Sequence, residues 1–196
     1  MRTSPTLARV RLRRFLFAAA FAAAVVGLSL SVLVARSGLA DAATSTHASQ
    51  KVDTQALFKS RLLWATIDVC NATDQPDTLG VRGSMPGDGE AHDTMLMRFR
   101  LQYLDTSTKA WVDLASGVSP HYANVGTGAS ARQGGRSFQL SPVAGQPAVT
   151  MRGVVTFEWR RGATVVAQIS RPTTPERKAL AGSDPAGFSA ASCLIG

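Results

Sequence analysis

Two segments of the chain alternate apolar and polar residues with a period of two, the pattern of a half-buried β-strand. In residues 94–104, the side chains predicted to face inward are Met95, Met97, Phe99, Leu101 and Tyr103, opposite Arg98, Arg100 and Gln102. In residues 149–160, one face carries Val149, Met151, Gly153, Val155, Phe157 and Trp159, opposite Thr150, Arg152, Thr156 and Glu158. Because a one-residue slip would expose every apolar side chain, these two segments predict strands of fixed register.

Shorter segments with the same alternating character predict further β-strands, so the chain is predicted to be all-β. Further strands are predicted in residues 62–70, 79–85, 110–114, 136–140, 165–169 and 192–195, with a Gly-rich loop from Ser116 to Gly135. No convincing amphipathic helix follows residue 41, so about seven or eight strands predict one antiparallel β-sandwich. The residues predicted to form its core include Met97, Phe99, Leu101, Val155, Phe157, Val165 and Ile169.

The N-terminus has the layout of an export signal. Five arginines precede an uncharged apolar run, residues 15–34, and small residues follow it up to Ala43. This order of basic, apolar and small-residue regions is typical of a signal peptide. The run is also long enough to span a bilayer, so an uncleaved anchor helix is the alternative. We favour cleavage after Ala40 or Ala42.

The export signal divides the chain into three parts. Residues 1–40 are predicted to be a signal peptide or N-terminal membrane anchor, residues 41–60 a polar tether, and residues 61–196 the β-sandwich domain. The domain is therefore expected outside the cell or in the cell envelope. It would contact a membrane only through residues 15–34, if these are not removed.

The positive charge of the chain is concentrated in the targeting segment. The chain has 21 Lys and Arg against 13 Asp and Glu, a net charge of +8. Six of the cations and none of the acids lie before residue 41; 21 minus six leaves 15 cations, two more than the 13 acids. No basic stripe with interleaved aromatic residues remains, which argues against a nucleic-acid partner.

The chain has two cysteines, Cys70 and Cys193, and both lie in the part predicted to be exported. Two separate buried thiols, or a metal or redox pair, are the alternatives to a disulfide. A C-x-x-C spacing is lacking, and exported thiols tend to be oxidised, so a structural Cys70–Cys193 disulfide is favoured. Its long span argues against the inter-sheet bridge of antibody domains, which links strands well inside the fold.

Several local strings carry a resemblance to a known group of proteins. They are Trp64-x5-Cys70, Gly83-x-Met85-Pro86-Gly87-Asp88-Gly89, Arg152-Gly153-Val154-x-x-Phe157-x-Trp159-Arg160, and Gly182-x-Asp184-Pro185-x-Gly187-x-Ser189-x-x-x-Cys193. Together they make residues 61–196 resemble uncharacterised exported proteins of high-GC Gram-positive bacteria. The resemblance implies an immunoglobulin-like sandwich and a disulfide. It implies no catalytic residues, because the shared motifs look like turn and core positions.

Residues whose side chains could act in catalysis or bind a metal are few and scattered along the sequence. A secreted hydrolase would have to draw on Ser119, His121, Asp88, Glu90 and His92. The string Gly117-Val118-Ser119-Pro120-His121 begins like a nucleophile elbow, but it lacks the closing glycine and the following helix. The Asp88–Asp93 loop is acidic enough for a weak calcium site, yet it departs from the EF-hand pattern. We therefore assign no catalytic, metal or cofactor-binding residues.

The sequence favours a non-enzymatic binding module that is secreted or held in the envelope. The expected ligand is a protein, a peptide or a glycan bound through loops, because binding residues on such scaffolds concentrate there. The Gly-rich stretch from Gly126 to Gly135 is the favoured surface, and Trp111 is the tryptophan expected to be exposed. A secreted hydrolase and a structural cell-wall spacer are the alternatives.

Overall fold

Nine antiparallel β-strands and one short helix form the part of the chain that the computed structural model describes, residues 51–175 and 180–196. The helix is α1 (Thr54–Lys59). The strands are β1 (Trp64–Ala72), β2 (Gln75–Met85), β3 (Thr94–Asp105), β4 (Ala110–Val118), β5 (Ala123–Thr127), β6 (Arg132–Gln139), β7 (Val149–Arg161), β8 (Thr164–Pro172) and β9 (Cys193–Ile195). The predicted all-β class is confirmed. The immunoglobulin-like topology is a finer statement and stays a prediction.

The strands form two antiparallel sheets. Sheet A has the order β1-β2-β6, and sheet B has the order β4-β3-β7-β8, with β5 paired to β3 and β9 paired to β7. The two long alternating segments, β3 and β7, are neighbours, with Met97 opposite Phe157 and Phe99 opposite Val155. One hydrophobic core contains Ile67, Leu79 and Val81 of sheet A together with the inward residues of sheet B. The two sheets therefore pack face to face.

Glycines allow the two sheets to approach closely. A Cβ at Gly153 of β7 would lie 2.6 Å from Val81 Cγ2 of β2, and one at Gly83 of β2 would lie 2.9 Å from Phe157 Cε1 of β7. Real side chains do not reach such distances without displacing a neighbour. The absence of a side chain at these two positions is thus a packing requirement of the core.

The structure confirms most of the predicted core and corrects one residue. Met97, Phe99, Leu101, Val155 and Phe157 are buried, and Ile169 is half-buried against the core. Val165 is 45% exposed, so its assignment to the core was wrong. The register of β7 and β8 jumps from Trp159–Ala167 to Arg160–Val165, which leaves Val166 as the extra residue of a bulge. The bulge reverses the alternation of the strand, because two residues there oppose one on the partner.

The last residues of the predicted tether are ordered and contribute to the core. Within residues 51–60, helix α1 begins after Asp53, whose carboxylate accepts a hydrogen bond from the Ala56 N–H at 3.0 Å. Leu57 is buried, Phe58 packs against the core, and Arg171 of β8 donates a hydrogen bond to the Phe58 carbonyl. A polar tether was therefore the wrong interpretation of these residues, since the Leu-Phe pair gives the helix an apolar side to bury.

The C-terminal segment covers the outer edge of β1. Ala190 exchanges two backbone hydrogen bonds with Ile67, at 2.9 and 3.0 Å, and the Asp184 N–H donates to the Asp68 carbonyl. The Thr66 hydroxyl lies 2.6 Å from the Ser189 hydroxyl and donates to the Thr174 carbonyl. These contacts explain why β1 is buried on both faces, including polar Thr66.

The predicted disulfide between Cys70 and Cys193 is present and closes a sequence separation of 123 residues. It joins β1 of sheet A to β9, which pairs with β7 of sheet B. The bridge therefore connects the two sheets through a terminal strand of three residues. It does so because the short terminal strand returns to the edge of β7 beside the end of β1.

The export segment lies outside the described residues, so residues 1–40 and the first ten residues of the tether stay predictions. Among the residues that are described, no helix has the length and apolar character needed to cross a membrane.

Candidate functional site

The candidate site lies along the edge of β6 that faces sheet B without pairing to any of its described strands. On one edge β6 pairs with β2 over its whole length, from Arg132 to Gln139. Among the described strands, none pairs with its other edge. Two cavities lie along this free edge, and both have a second wall made by sheet B: β4 in one case, and the link between β4 and β5 in the other.

The larger cavity, the apolar cleft, has a volume of about 670 Å³. Phe138 and Leu140 at the end of β6 form one wall, and Tyr103 and Leu114 of β3 and β4 form the opposite wall. Met151 and Ile195 are buried against it, whereas Val143 and Val149 are exposed at its border. None of the side chains that line it is charged. Its size and lining match those of pockets that bind apolar groups.

The smaller cavity, the serine cavity, has a volume of about 210 Å³ and lies farther along the same edge. It is lined by Phe99 of β3, by Ser119, His121 and Tyr122 in the link between β4 and β5, and by Gly135 and Arg136 of β6. Ser119 is only 2% exposed. The Ser119 N–H donates to the Phe99 carbonyl at 2.8 Å, and the Ser119 carbonyl accepts from Arg98 Nε at 3.3 Å. The backbone on both sides of the hydroxyl is therefore held in place.

The Ser119 hydroxyl itself has no hydrogen-bond partner within the described residues. Buried polar atoms are nearly always satisfied, so an unpaired hydroxyl on a cavity wall needs an explanation. Arg136 lies on the same cavity wall and on the same face of β6 as buried Phe138, because it is two residues away. Its guanidinium lies 5.7 Å from the centre of the Phe138 ring, and it forms no ion pair with any described residue.

The structure separates the candidate hydrolase residues into two groups. Ser119 and His121 line the serine cavity, whereas Asp88, Glu90 and His92 lie in the loop between β2 and β3. Phe99, which binds the Ser119 backbone, is six residues along β3 from Asp93, or about 20 Å at the usual rise of a strand. No carboxylate lines the serine cavity. The five residues therefore do not converge on one catalytic arrangement.

The acidic loop joins the end of β2 to the turn between β5 and β6. Asp93 is fully buried, and Arg161 donates to both of its oxygens at 2.8 Å. The Gly128 N–H donates to the Asp93 carbonyl, and the Gly89 N–H donates to the Gly128 carbonyl. In the described part of the chain, no three His, Cys, Asp or Glu side chains are grouped closely enough to hold a metal ion. The visible role of the loop is structural.

The two carboxyls of this loop have pKa values shifted in opposite directions. The hydrogen bonds from Arg161 hold the pKa of Asp93 below its ordinary value of 3.8. Burial raises the pKa of Asp88 above the same ordinary value, and the neighbouring Asp93 adds to this effect. Asp88 Oδ1 accepts a hydrogen bond from the Glu90 N–H, while its Oδ2 is buried without a partner. The fold thus favours an ionised Asp93 beside an Asp88 that keeps its proton to higher pH.

A third cavity, on the outer face of sheet A, has a volume of about 500 Å³. Three of its four charged side chains are already paired, since Arg82 lies 2.7 Å from Asp68 and donates to the Gly182 carbonyl, and Asp184 accepts from Gln75. The fourth, Arg136, also lines the serine cavity. A ligand there would compete with these contacts. The free edge of β6 is therefore the stronger candidate site.

Sequence reasoning found part of this site and missed the rest. The Gly-rich stretch from Ser116 to Gly135 was predicted to be a loop, but it contains β5 and the first half of β6. Arg136, Tyr122 and Leu140 were not singled out, because each is an ordinary residue until the fold places it on a cavity wall. The alternation of Gly134, Arg136 and Phe138 was the available signal. Trp111 is half-buried and stacks on Arg152, whose guanidinium lies 4.3 Å from the ring centre.

Comparisons with known proteins do not identify a family. No protein-family model matches the chain, and no curated protein matches it. Among solved structures, it is similar to the alkylpurine DNA glycosylase AlkC of Pseudomonas fluorescens bound to abasic DNA, at 13% sequence identity and a TM-score of 0.31. The alignment covers 56% of this chain and 29% of that chain. A likeness this low carries no argument about function.

Proposed function

We propose that this protein is an exported, non-enzymatic binding module that takes an extended peptide as an added strand along β6. The observation that carries the proposal is a strand edge that no described residue pairs with, bordered by two cavities of different chemistry. In this mode of recognition the main chain of the sheet edge supplies hydrogen bonds, and pockets beside the edge select alternate side chains of the peptide. Both parts are available at β6.

The composition of β6 suits the approach of another main chain. Gly134 and Gly135 lie in the middle of the strand and have no side chains that would cover its backbone. Edge strands usually carry features that prevent pairing with random strands, such as a charged residue that points inward. Arg136 lies on the same face of β6 as Phe138, and its exposed side chain places a positive charge at this edge. A peptide that does not accommodate its charge would be rejected, so the edge is selective rather than generally adhesive.

Export and the immunoglobulin-like arrangement of the sheets are parts of this proposal. The Cys70–Cys193 disulfide supports export, because such bonds persist in oxidising compartments. The separation of Ser119 and His121 from the candidate carboxylates favours binding over hydrolysis. A structural cell-wall spacer does not require a strand edge bordered by cavities. We therefore rank this function below a binding module and a hydrolase.

A peptide array gives the direct test. Blocked peptides of about ten residues, the upper range of strand length, would be screened for binding to the purified domain with its disulfide intact. The best binder would then be N-methylated at one backbone position at a time. We expect loss of binding at every second position, because alternate N–H groups of an added strand face the sheet. Hydrogen exchange of residues 132–139 should slow in the complex.

A matched pair of variants distinguishes loss of the binding site from loss of folding. Leu140→Asp introduces a carboxylate into the apolar cleft and should abolish peptide binding. Leu62→Asp changes an exposed leucine that lines neither cavity, so this control should bind the peptide as the wild type does. Thermal unfolding of both variants would show that the fold persists. An array with no binders, or a binder equally sensitive to N-methylation at adjacent positions, would refute strand addition at β6.

A further inference from the structure

We propose that the peptide recognised at β6 carries an acidic side chain and a large apolar side chain, on the same face and two or four residues apart. The carboxylate would bind in the serine cavity, and the apolar group would bind in the apolar cleft. This inference rests on the proposed function, since it specifies which peptides the β6 edge accepts.

The serine cavity has donors and positive charge but no carboxylate on its walls. A ligand carboxylate accepts hydrogen bonds only, and it would satisfy the buried Ser119 hydroxyl and pair with the Arg136 guanidinium. Arg98 and His121 are adjacent and add no negative charge. The acidic Glu158 interacts with Tyr122, and its charge is offset by contacts with Arg160 and Gln168. The local field therefore favours an anion.

The apolar cleft excludes a charged group for the opposite reason. Its lining has no charged side chain that could pair with one, and burying an unpaired charge is costly. Phe138, Met151 and Ile195 instead offer apolar surface, and Val143 and Val149 are exposed at its border. A large apolar side chain that filled the cleft would remove this surface from water.

The spacing follows from the geometry of β6. The serine cavity contacts the strand at Arg136, and the apolar cleft contacts it at Phe138 and at the following Leu140. Arg136 and Phe138 are on the face that points toward sheet B, and an added strand continues the pleat of its neighbour. The two peptide side chains that reach the cavities must therefore lie an even number of positions apart, such as i and i+2 or i and i+4. A shift by one residue would turn one of them to the outer face of sheet A.

The test uses blocked Thr/Ser peptides that contain one Glu and one Phe at spacings of one to about six residues. Affinity for the wild-type domain would be measured by isothermal titration calorimetry. We expect the tightest binding at spacings of two or four. Replacing Glu by Gln in the best peptide should weaken binding by about 10- to 100-fold, the loss expected for a charge-assisted hydrogen bond.

Variants of the protein assign the effect to the serine cavity. Arg136→Gln and Ser119→Ala should weaken binding of the Glu peptide while leaving the Gln peptide nearly unchanged. Arg132→Gln and Ser137→Ala are the matched controls, because both residues lie on β6 but line neither of the two cavities. They should preserve the preference for Glu. Near-ultraviolet circular dichroism would confirm that all four variants are folded.

The outcomes separate the two proposals. Peptides that bind with the alternating N-methyl pattern support strand addition at β6. If such peptides show no preference for Glu over Gln, or keep this preference in Arg136→Gln, the proposed acidic and apolar motif is wrong. If odd spacings bind as well as even ones, the motif is also wrong. If no peptide from the array or from this series binds, the proposed function itself fails.

Discussion

At the scale of single residues, the most informative pair is Asp88 and Asp93. The two carboxyls lie in one loop, yet the fold treats them differently, since Arg161 binds Asp93 through two hydrogen bonds while one oxygen of Asp88 is buried without a partner. The sequence shows only an acidic turn, which suggested a metal site. The structure shows that the Asp93 carboxylate binds Arg161 while its backbone carbonyl accepts from Gly128, and that the pKa of the neighbouring Asp88 is raised.

These opposite shifts predict opposite effects of amide substitution on stability. Asp93 has a lowered pKa, so its contribution is present above its ordinary value of 3.8 and is lost as the pH falls through the folded-state pKa. Asp93→Asn should therefore destabilise the domain at pH 7, by about 1 to 3 kcal/mol for a buried charge-assisted hydrogen bond, and less near pH 3. Urea unfolding across this range is the measurement. An equal loss at both pH values would contradict the ion-pair explanation.

Asp88 is the matched control at the same turn. Its raised pKa means that its ionisation costs stability as the pH rises through the folded-state value. Asp88→Asn keeps the acceptor for the Glu90 N–H and supplies a donor toward Asp93. It should stabilise the domain at pH 7, by up to about 1 kcal/mol, and have little effect near pH 3. Destabilisation at pH 7 would contradict this.

At the scale of elements, strands with strong alternation were predicted well and weak ones were not. β3 and β7 have large apolar side chains at every second position, so their bounds and inward faces were predicted nearly as observed. β6 carries glycines and arginines instead, and its pairing with β2 decides its conformation. In β8 a bulge at Val166 reverses the alternation, which no local pattern shows.

The bulge gives a direct comparison between two residues that the sequence assigned equally to the core. Phe157→Ala should destabilise the domain by about 3 to 5 kcal/mol, because Phe157 is fully buried between the sheets. Val165→Ala should change stability by less than about 0.5 kcal/mol, because Val165 lies on the surface. Chemical denaturation of both variants measures the difference. Similar losses for both would mean that β8 has the uninterrupted register.

At the scale of the whole molecule, β1 is enclosed by the C-terminal segment and linked by the disulfide to β9. Helix α1 also packs on the same core, although it lies in the segment predicted to be a tether. The folded unit therefore begins earlier than residue 61. Under the proposed export, cleavage after Ala40 or Ala42 would release this unit, and an uncleaved segment would keep it attached to a membrane.

Export makes a prediction for the intact chain. Expressed from its own start codon, in a bacterium with a general secretion pathway, the protein should be recovered outside the cytoplasm, with an N-terminus at Asp41 or Ala43. N-terminal sequencing or intact mass spectrometry measures this. A full-length chain extracted only by detergent would show that residues 15–34 are a membrane anchor instead.

The sequence by itself determined the all-β class, the inward faces of β3 and β7, and the pairing of Cys70 with Cys193. These properties are local, or follow from a count of two cysteines in a chain that is predicted to be exported. The tertiary structure decided the rest: the burial of Leu57, the exposure of Val165, and the placement of Ser119 and Arg136 on one cavity wall. Ser119 lies in the link between β4 and β5 of sheet B, and Arg136 lies on β6 of sheet A. A cavity between sheets depends on which strands pair and which edge stays open, and these are long-range choices that no local pattern contains.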